Sequence, residues 1–104
     1  MPVFGDLEQA VMEVLWANPT AMSVRDVQAA LGRDRELAYT TVMTVMDRLA
    51  KKGQLQRELN GRAWQYRPTY SWAHLASIEI IALLETGPVE QRRAVLDDVR
   101  ARVE

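Results

Sequence analysis

A mainly α-helical fold carrying one small β-hairpin is what this sequence predicts, on three observations. Apolar residues recur at helical spacing through the first half of the chain, an Asn-Gly dipeptide stands between two six-residue arms, and apolar helical segments resume after Pro68. With 104 residues there is room for one small domain plus an oligomerisation segment. We divide the chain into residues 1–69 and residues 70–104.

The first helix is expected over about Leu7 to Trp16, with Asp6 as its cap and Leu7, Ala10, Val11, Val14 and Leu15 on one face. Asn18-Pro19 stops it. Ser23-Val24-Arg25-Asp26 reads as a capping box with aspartate at its end, and the helix it starts places Val24, Val27 and Leu31 together before Gly32. A short charged connection, Arg33 to Glu36, leads to a third helix over Ala38 to Lys52 that Gly53 closes. Here Val42, Val45, Met46 and Leu49 fall at i, i+3, i+4 and i+7, which is the spacing of a buried stripe. The other side is crowded with threonine, a residue that an isolated helix favours less than alanine or leucine.

Gln54 to Leu59 and Arg62 to Arg67 flank Asn60-Gly61, the strongest short-range signal for a two-residue type I′ turn. That turn pairs Leu55 with Tyr66, Arg57 with Trp64 and Leu59 with Arg62, and gives one face, Leu55, Tyr66 and Trp64, to packing. An isolated hairpin is marginal in water, so it must lean on the helices while its tip projects. Pro68 ends the second arm. Beyond it Trp72 to Leu84 is apolar on more than one side, Gly87-Pro88 breaks the run, and Val89 to Glu104 puts Val95, Leu96, Val99 and Val103 on one stripe. Two such helices from each of two chains make a symmetric interface, for which Trp72, Leu75, Ile78, Ile81, Leu84, Leu96 and Val99 are the candidates.

Composition removes several function classes. There is no cysteine and one histidine, His74, so disulfide frameworks, thiol catalysis and Cys/His zinc sites are excluded. No nucleophile stands with a base, and no glycine-rich phosphate loop occurs; neither an enzyme nor a cofactor or metal is implied. The first residues lack the basic and apolar regions of a leader, and no run is long enough for a membrane span, which makes a cytoplasmic protein without membrane insertion the expectation. Charge is segregated within a net −1: residues 33 to 67 carry eight basic side chains against four acidic ones, whereas acids exceed bases on either side. A basic middle suits a polyanion.

Three helices followed by a projecting hairpin is the order of a winged helix-turn-helix. In that fold the third helix buries one face and offers the other to a DNA major groove. Thr40, Thr41, Met43, Thr44, Asp47, Arg48 and Lys51 lie on the outer side. A threonine hydroxyl can bond a phosphate while its methyl touches a thymine C5-methyl group. Lys51 and Lys52 serve either as phosphate ligands or as cations complementing the helix dipole. Arg62, beside the turn, is the better wing candidate; the stem of Arg57 is suited to covering Trp64. Trp16, Trp64 and Trp72 read as packing residues and His74 as a structural one.

The run Leu37 to Gly53 together with Gly61-Arg62-Ala63 and Tyr66-Arg67-Pro68, preceded by Gly5-Asp6-Leu7-Glu8, Val11-Met12 and Leu15-Trp16, closely resembles the BlaI/MecI family of penicillinase repressors. The likeness covers roughly residues 5 to 70. It implies a homodimeric transcriptional repressor of antibiotic-resistance genes that binds inverted-repeat, double-stranded operator DNA, with the third helix in the major groove and the wing on flanking backbone. It also implies a sensor protease as a partner that relieves repression, although the stretch such a protease would cut is not recognisable and the tail is shorter than the family's by about a helix. A ligand-sensing regulator of the MarR type and a winged-helix protein-interaction module are the alternatives; an apolar pocket between the wing domain and the tail would favour the first, and the absence of salt-dependent DNA affinity and of a spacing requirement the second.

Overall fold

The ends of the first three helices are decided by a handful of hydrogen bonds. The computed structural model describes residues 2–33 and 36–104, so Met1, Asp34 and Arg35, the last two in the charged connection expected before the third helix, lie outside the described residues. Helix α1 is Asp6–Trp16. Its N-cap is Gly5 rather than Asp6, and because glycine has no side chain to offer, Glu8 closes the turn: its Oε1 accepts from Gly5 N at 3.0 Å. Asp6 instead occupies the first turn, where a carboxylate complements the dipole. At the other end Asn18 Nδ2 donates to the Val14 carbonyl at 2.8 Å.

Helix α2, Val24–Leu31, starts with the reciprocal pair expected of its sequence: Ser23 Oγ accepts from Asp26 N at 3.1 Å and Asp26 Oδ2 from Ser23 N at 3.0 Å. Gln28 Nε2 then donates to the Leu37 carbonyl at 2.9 Å, tying α2 to the approach to the next helix. Helix α3, Tyr39–Lys51, is one residue shorter at each end than expected, with extended Ala38 as N-cap and Lys52 as C-cap. Gly53 adopts φ +80°; its N–H donates to the Ala50 carbonyl and Gln54 N donates to the Leu49 carbonyl, the paired bonds of a Schellman motif.

The hairpin departs from the expected register by two residues. Strands β1 (Leu55–Asn60) and β2 (Ala63–Pro68) pair Leu55 with Pro68, Arg57 with Tyr66, Leu59 with Trp64 and Asn60 with Ala63. The loop is therefore Gly61-Arg62. Gly61 has φ +66° and no described non-glycine residue has positive φ, which excludes the type I′ turn and matches type II′, with glycine at the first central position. The dipeptide signal located the turn, and the backbone slid by one residue to place glycine there. A third edge joins the hairpin that no local pattern in the sequence signals: Met22 pairs with Tyr66, N–H to carbonyl in both directions, at 2.9 and 2.8 Å. This bridge seats β2 between Met22 and β1.

The core joins all of these pieces. Val11, Met12 and Leu15 of α1, Val24, Val27 and Leu31 of α2, and Val42, Val45, Met46 and Leu49 of α3 are buried with Leu55 and Tyr66 of the hairpin. Met12 was not expected there, while Leu7, Ala10 and Val14 are only partly buried. Trp16 packs edge-on to Phe4 and donates Nε1 to the Tyr70 carbonyl at 3.1 Å, holding the segment after β2 against α1. Trp64 does not join the core; it is 41% exposed.

The chain forms two compact units, Pro2–Trp72 and Ala73–Glu104. Helix α4 is Trp72–Leu84; after the break at Gly87-Pro88 a 3₁₀ turn, Val89–Gln91, leads into α5, Arg92–Val103. No helix among the described residues is long and apolar enough to cross a membrane.

A Cβ added at Gly53 would meet nothing within 4 Å, so the cost of a side chain there is backbone conformation alone. Gly53→Ala should lower stability by about 1–2 kcal/mol, read from urea unfolding midpoints at unchanged slope.

Candidate nucleic-acid interface

Helix α3 has two chemically opposite sides. Val42, Val45, Met46 and Leu49 are buried, as their spacing required, and Thr40, Thr41, Met43, Thr44, Arg48, Lys51 and Lys52 are all exposed. The placement follows from the helical period: one stripe faces α1, α2 and the hairpin base, leaving the threonines on the side turned away. Thr40, Thr41, Thr44 and Arg48 line an open groove with Asp6 and Glu8 of α1. Thr44 Oγ1 donates to the Thr40 carbonyl at 2.8 Å. Its proton is thus committed to the helix itself, which leaves the hydroxyl oxygen as an acceptor and the methyl as an apolar contact, a narrower role than donation to phosphate.

The basic residues divide into committed and uncommitted groups. Lys52 Nζ lies 2.9 Å from Glu8 Oε2, so the end of α3 is tied to the start of α1. Glu8 serves both this lysine and the Gly5 N–H, and those two bonds, the backbone one first, hold its carboxyl below the usual range. Lys51 Nζ sits 3.0 Å from Asp47 Oδ2, and Arg57 Nη1 reaches Asp47 Oδ1 at 3.2 Å. Lys51 above all, then Arg57, keeps Asp47 ionised below the ordinary carboxylate range. Arg48 and Arg62, the latter in the hairpin turn, form no ion pair among the described residues.

The cluster of Asp47, Arg57 and Trp64 was not assembled by sequence reasoning. Its Arg57–Trp64 contact was expected, its Asp47–Arg57 ion pair was not, and Lys51 joins Asp47 as an i, i+4 pair. The Arg57 guanidinium carbon lies 4.5 Å from the centre of the Trp64 ring, a cation–π contact made diagonally across the ladder, not through the facing pair expected. A second such contact, Arg25 over Tyr39 at 5.2 Å, connects the start of α2 with the start of α3.

In the Ala73–Glu104 unit, Ile78 and Ile81 are about half exposed, as are Leu96 and Val99. Leu84 is half-buried, and Trp72, at the head of α4, is exposed. Leu75 departs from its place in the expected interface: at 4% exposure it is already buried in the single chain and offers little to a partner.

The sequence profile of the penicillinase repressor family matches residues 4–100. The chain belongs to that family. It is 43% identical over 93 residues to the transcriptional regulator BlaI of Mycobacterium tuberculosis, an overlap covering 88% of this chain and 67% of that protein. The solution structure of the DNA-binding domain of the repressor BlaI superimposes with a TM-score of 0.61 at 29% identity, over 69% of this chain and 87% of that one. A monomeric form of Bacillus licheniformis BlaI, solved in complex with the blaP half-operator, gives 0.58 at 29% identity over the same shares. This penicillinase repressor relative is accordingly a winged-helix transcriptional repressor.

A depressed folded-state pKa at Glu8 adds stability above the ordinary carboxylate value that is lost as pH falls through the folded one. Glu8→Gln should therefore be less stable than the parent at neutral pH, and the difference should close in strong acid. Urea unfolding across that pH range measures it; a gap independent of pH would mean that the carboxylate's charge is not what matters.

Proposed function

We propose that this chain is a cytoplasmic, homodimeric repressor that lays α3 in the major groove of operator DNA, sets its hairpin on the flanking backbone and joins its partner through the Ala73–Glu104 unit. One observation carries the reading: the side of α3 opposite the buried valines is exposed, small and hydroxyl-bearing, with an uncommitted arginine one turn beyond Thr44. A helix with short outer side chains can bring its axis close to base edges, and the major groove is wide enough to admit it. Thr44 presents a methyl for a thymine C5-methyl and an oxygen that accepts from an adenine or cytosine amino group. Arg48 has the fork geometry that guanine O6 and N7 bind in bidentate fashion. Thr40, Thr41, Lys51 and Arg62 address phosphates, which set register without reading sequence.

The half-operator bound by the Bacillus licheniformis relative supports DNA as the partner. The half-exposed isoleucines of α4 and the Leu96 and Val99 stripe of α5 support a self-complementary interface, since a two-fold dimer needs the same patch on both subunits. Occupying an operator that overlaps a promoter blocks transcription sterically, and the proposal assigns the chain no catalysis.

Selection of duplexes from a random pool tests the reading directly. Enriched sequences should contain a dyad with half-sites about 10 base pairs apart, or a multiple. Enrichment without a dyad would count against the dimer, and absence of enrichment together with salt-insensitive affinity would end the DNA reading. Arg62→Ala should reduce the dependence of log affinity on log salt by about one. Ile78→Asp and Ile81→Asp should each sediment as monomers with steeply weakened operator binding; dimers that survive both changes would move the interface elsewhere.

A further inference from the structure

Helix α3 carries one acid, Asp47, and its surroundings give it a role that charge counting alone hides. It lies on α3 between Thr44 and Lys51, with its side chain 35% exposed. One oxygen holds Lys51 at 3.0 Å and the other holds Arg57 at 3.2 Å, and Arg57 in turn stacks over Trp64 of the wing. Without this carboxylate, two cations would project from the recognition helix and the adjoining strand toward any polyanion.

We infer that Asp47 is a specificity-determining residue that withholds Lys51 and Arg57 from unselective phosphate contact. The inference rests on the proposed placement of α3 in the major groove. Binding to random DNA is almost wholly phosphate neutralisation, so a carboxylate that occupies two cations and repels phosphate weakens it on every sequence. On a selected site the same carboxylate recovers part of that loss, because an acid on a recognition helix accepts from the amino group of cytosine, and a sequence lacking that donor leaves it uncompensated. Exposed ion pairs of this kind are individually weak, so they yield on the right duplex at little cost. The Arg57 stack on Trp64 adds a second effect: it gives the guanidinium a resting place on the protein, away from solvent-facing directions.

Asp47→Asn keeps the shape and removes the charge. Affinities for a duplex enriched from a random pool and for a random-sequence duplex of equal length should be measured at several salt concentrations. The variant should bind the random duplex about threefold more tightly or better, with a salt dependence steeper by about one. The enriched duplex should gain nothing or lose affinity, so that the ratio between the two falls. Adding Lys51→Gln to the variant should return the salt dependence toward the parent's. Equal tightening on both duplexes would overturn the inference by making Asp47 a plain charge brake, and unchanged affinities would overturn it by removing Asp47 from the interface. Failure of the parent chain to prefer the enriched duplex at all would instead overturn the DNA-binding reading beneath it. Unfolding midpoints of both variants near the parent's establish that the binding changes are not losses of fold.

Discussion

Everything in the Pro2–Trp72 unit depends on burying one stripe of α3. Val42, Val45, Met46 and Leu49 are shared by every other element: they meet α1 and α2 on their inner faces and Leu55 and Tyr66 at the base of the hairpin. Burial of side chains this size is worth roughly 1.5–3 kcal/mol each against exposure, which far exceeds the helix-propensity loss of three threonines and two valines, a few tenths of a kcal/mol apiece. That imbalance is why a helix with an unfavourable composition is stable here. Its outer side is released from any packing duty and is free to carry the small polar residues suited to a groove.

Polar contacts then orient what the core has gathered. Glu8 joins the start of α1 to the end of α3 through Lys52, the Met22–Tyr66 bridge fixes β2 against the segment before α2, and Asp47 with Arg57 connects α3 to the wing. None of these needs to contribute much stability. Their value lies in geometry: they hold α1, α3 and the hairpin in fixed relation to one another. The same contacts divide the basic residues, so that Arg48 and Arg62 stay available while Lys51, Lys52 and Arg57 already have carboxylate partners.

Helix spans, the Ser23–Asp26 capping box, the Gly53 stop and the α3 stripe were legible because each is written in residues no more than a turn or two apart. Local signals failed where a choice was nearly degenerate. Asn60-Gly61 marks a tight turn, yet moving the pair by one place changes which backbone position takes positive φ and shifts every cross-strand partner by two residues. In the observed register Leu55 and Tyr66 reach the core and glycine takes the position of positive φ. Asp6 and Gly5 were similarly close as caps, and Glu8 decided the matter from the third position of the helix.

By itself, then, the sequence determined the kind of elements, their order, which side of α3 is greasy and which small, and through its resemblance the family to which the chain belongs. Those properties follow from periodicity and from turn chemistry, both of them short-range. Tertiary structure decided the hairpin register, the third edge at Met22, the burial of Leu75 and the assignment of each cation to its acid. Such outcomes depend on residues as far apart as Glu8 and Lys52, or Asp47 and Arg57, and no local pattern encodes which charged side chain the folded chain will bring within 3.2 Å of another.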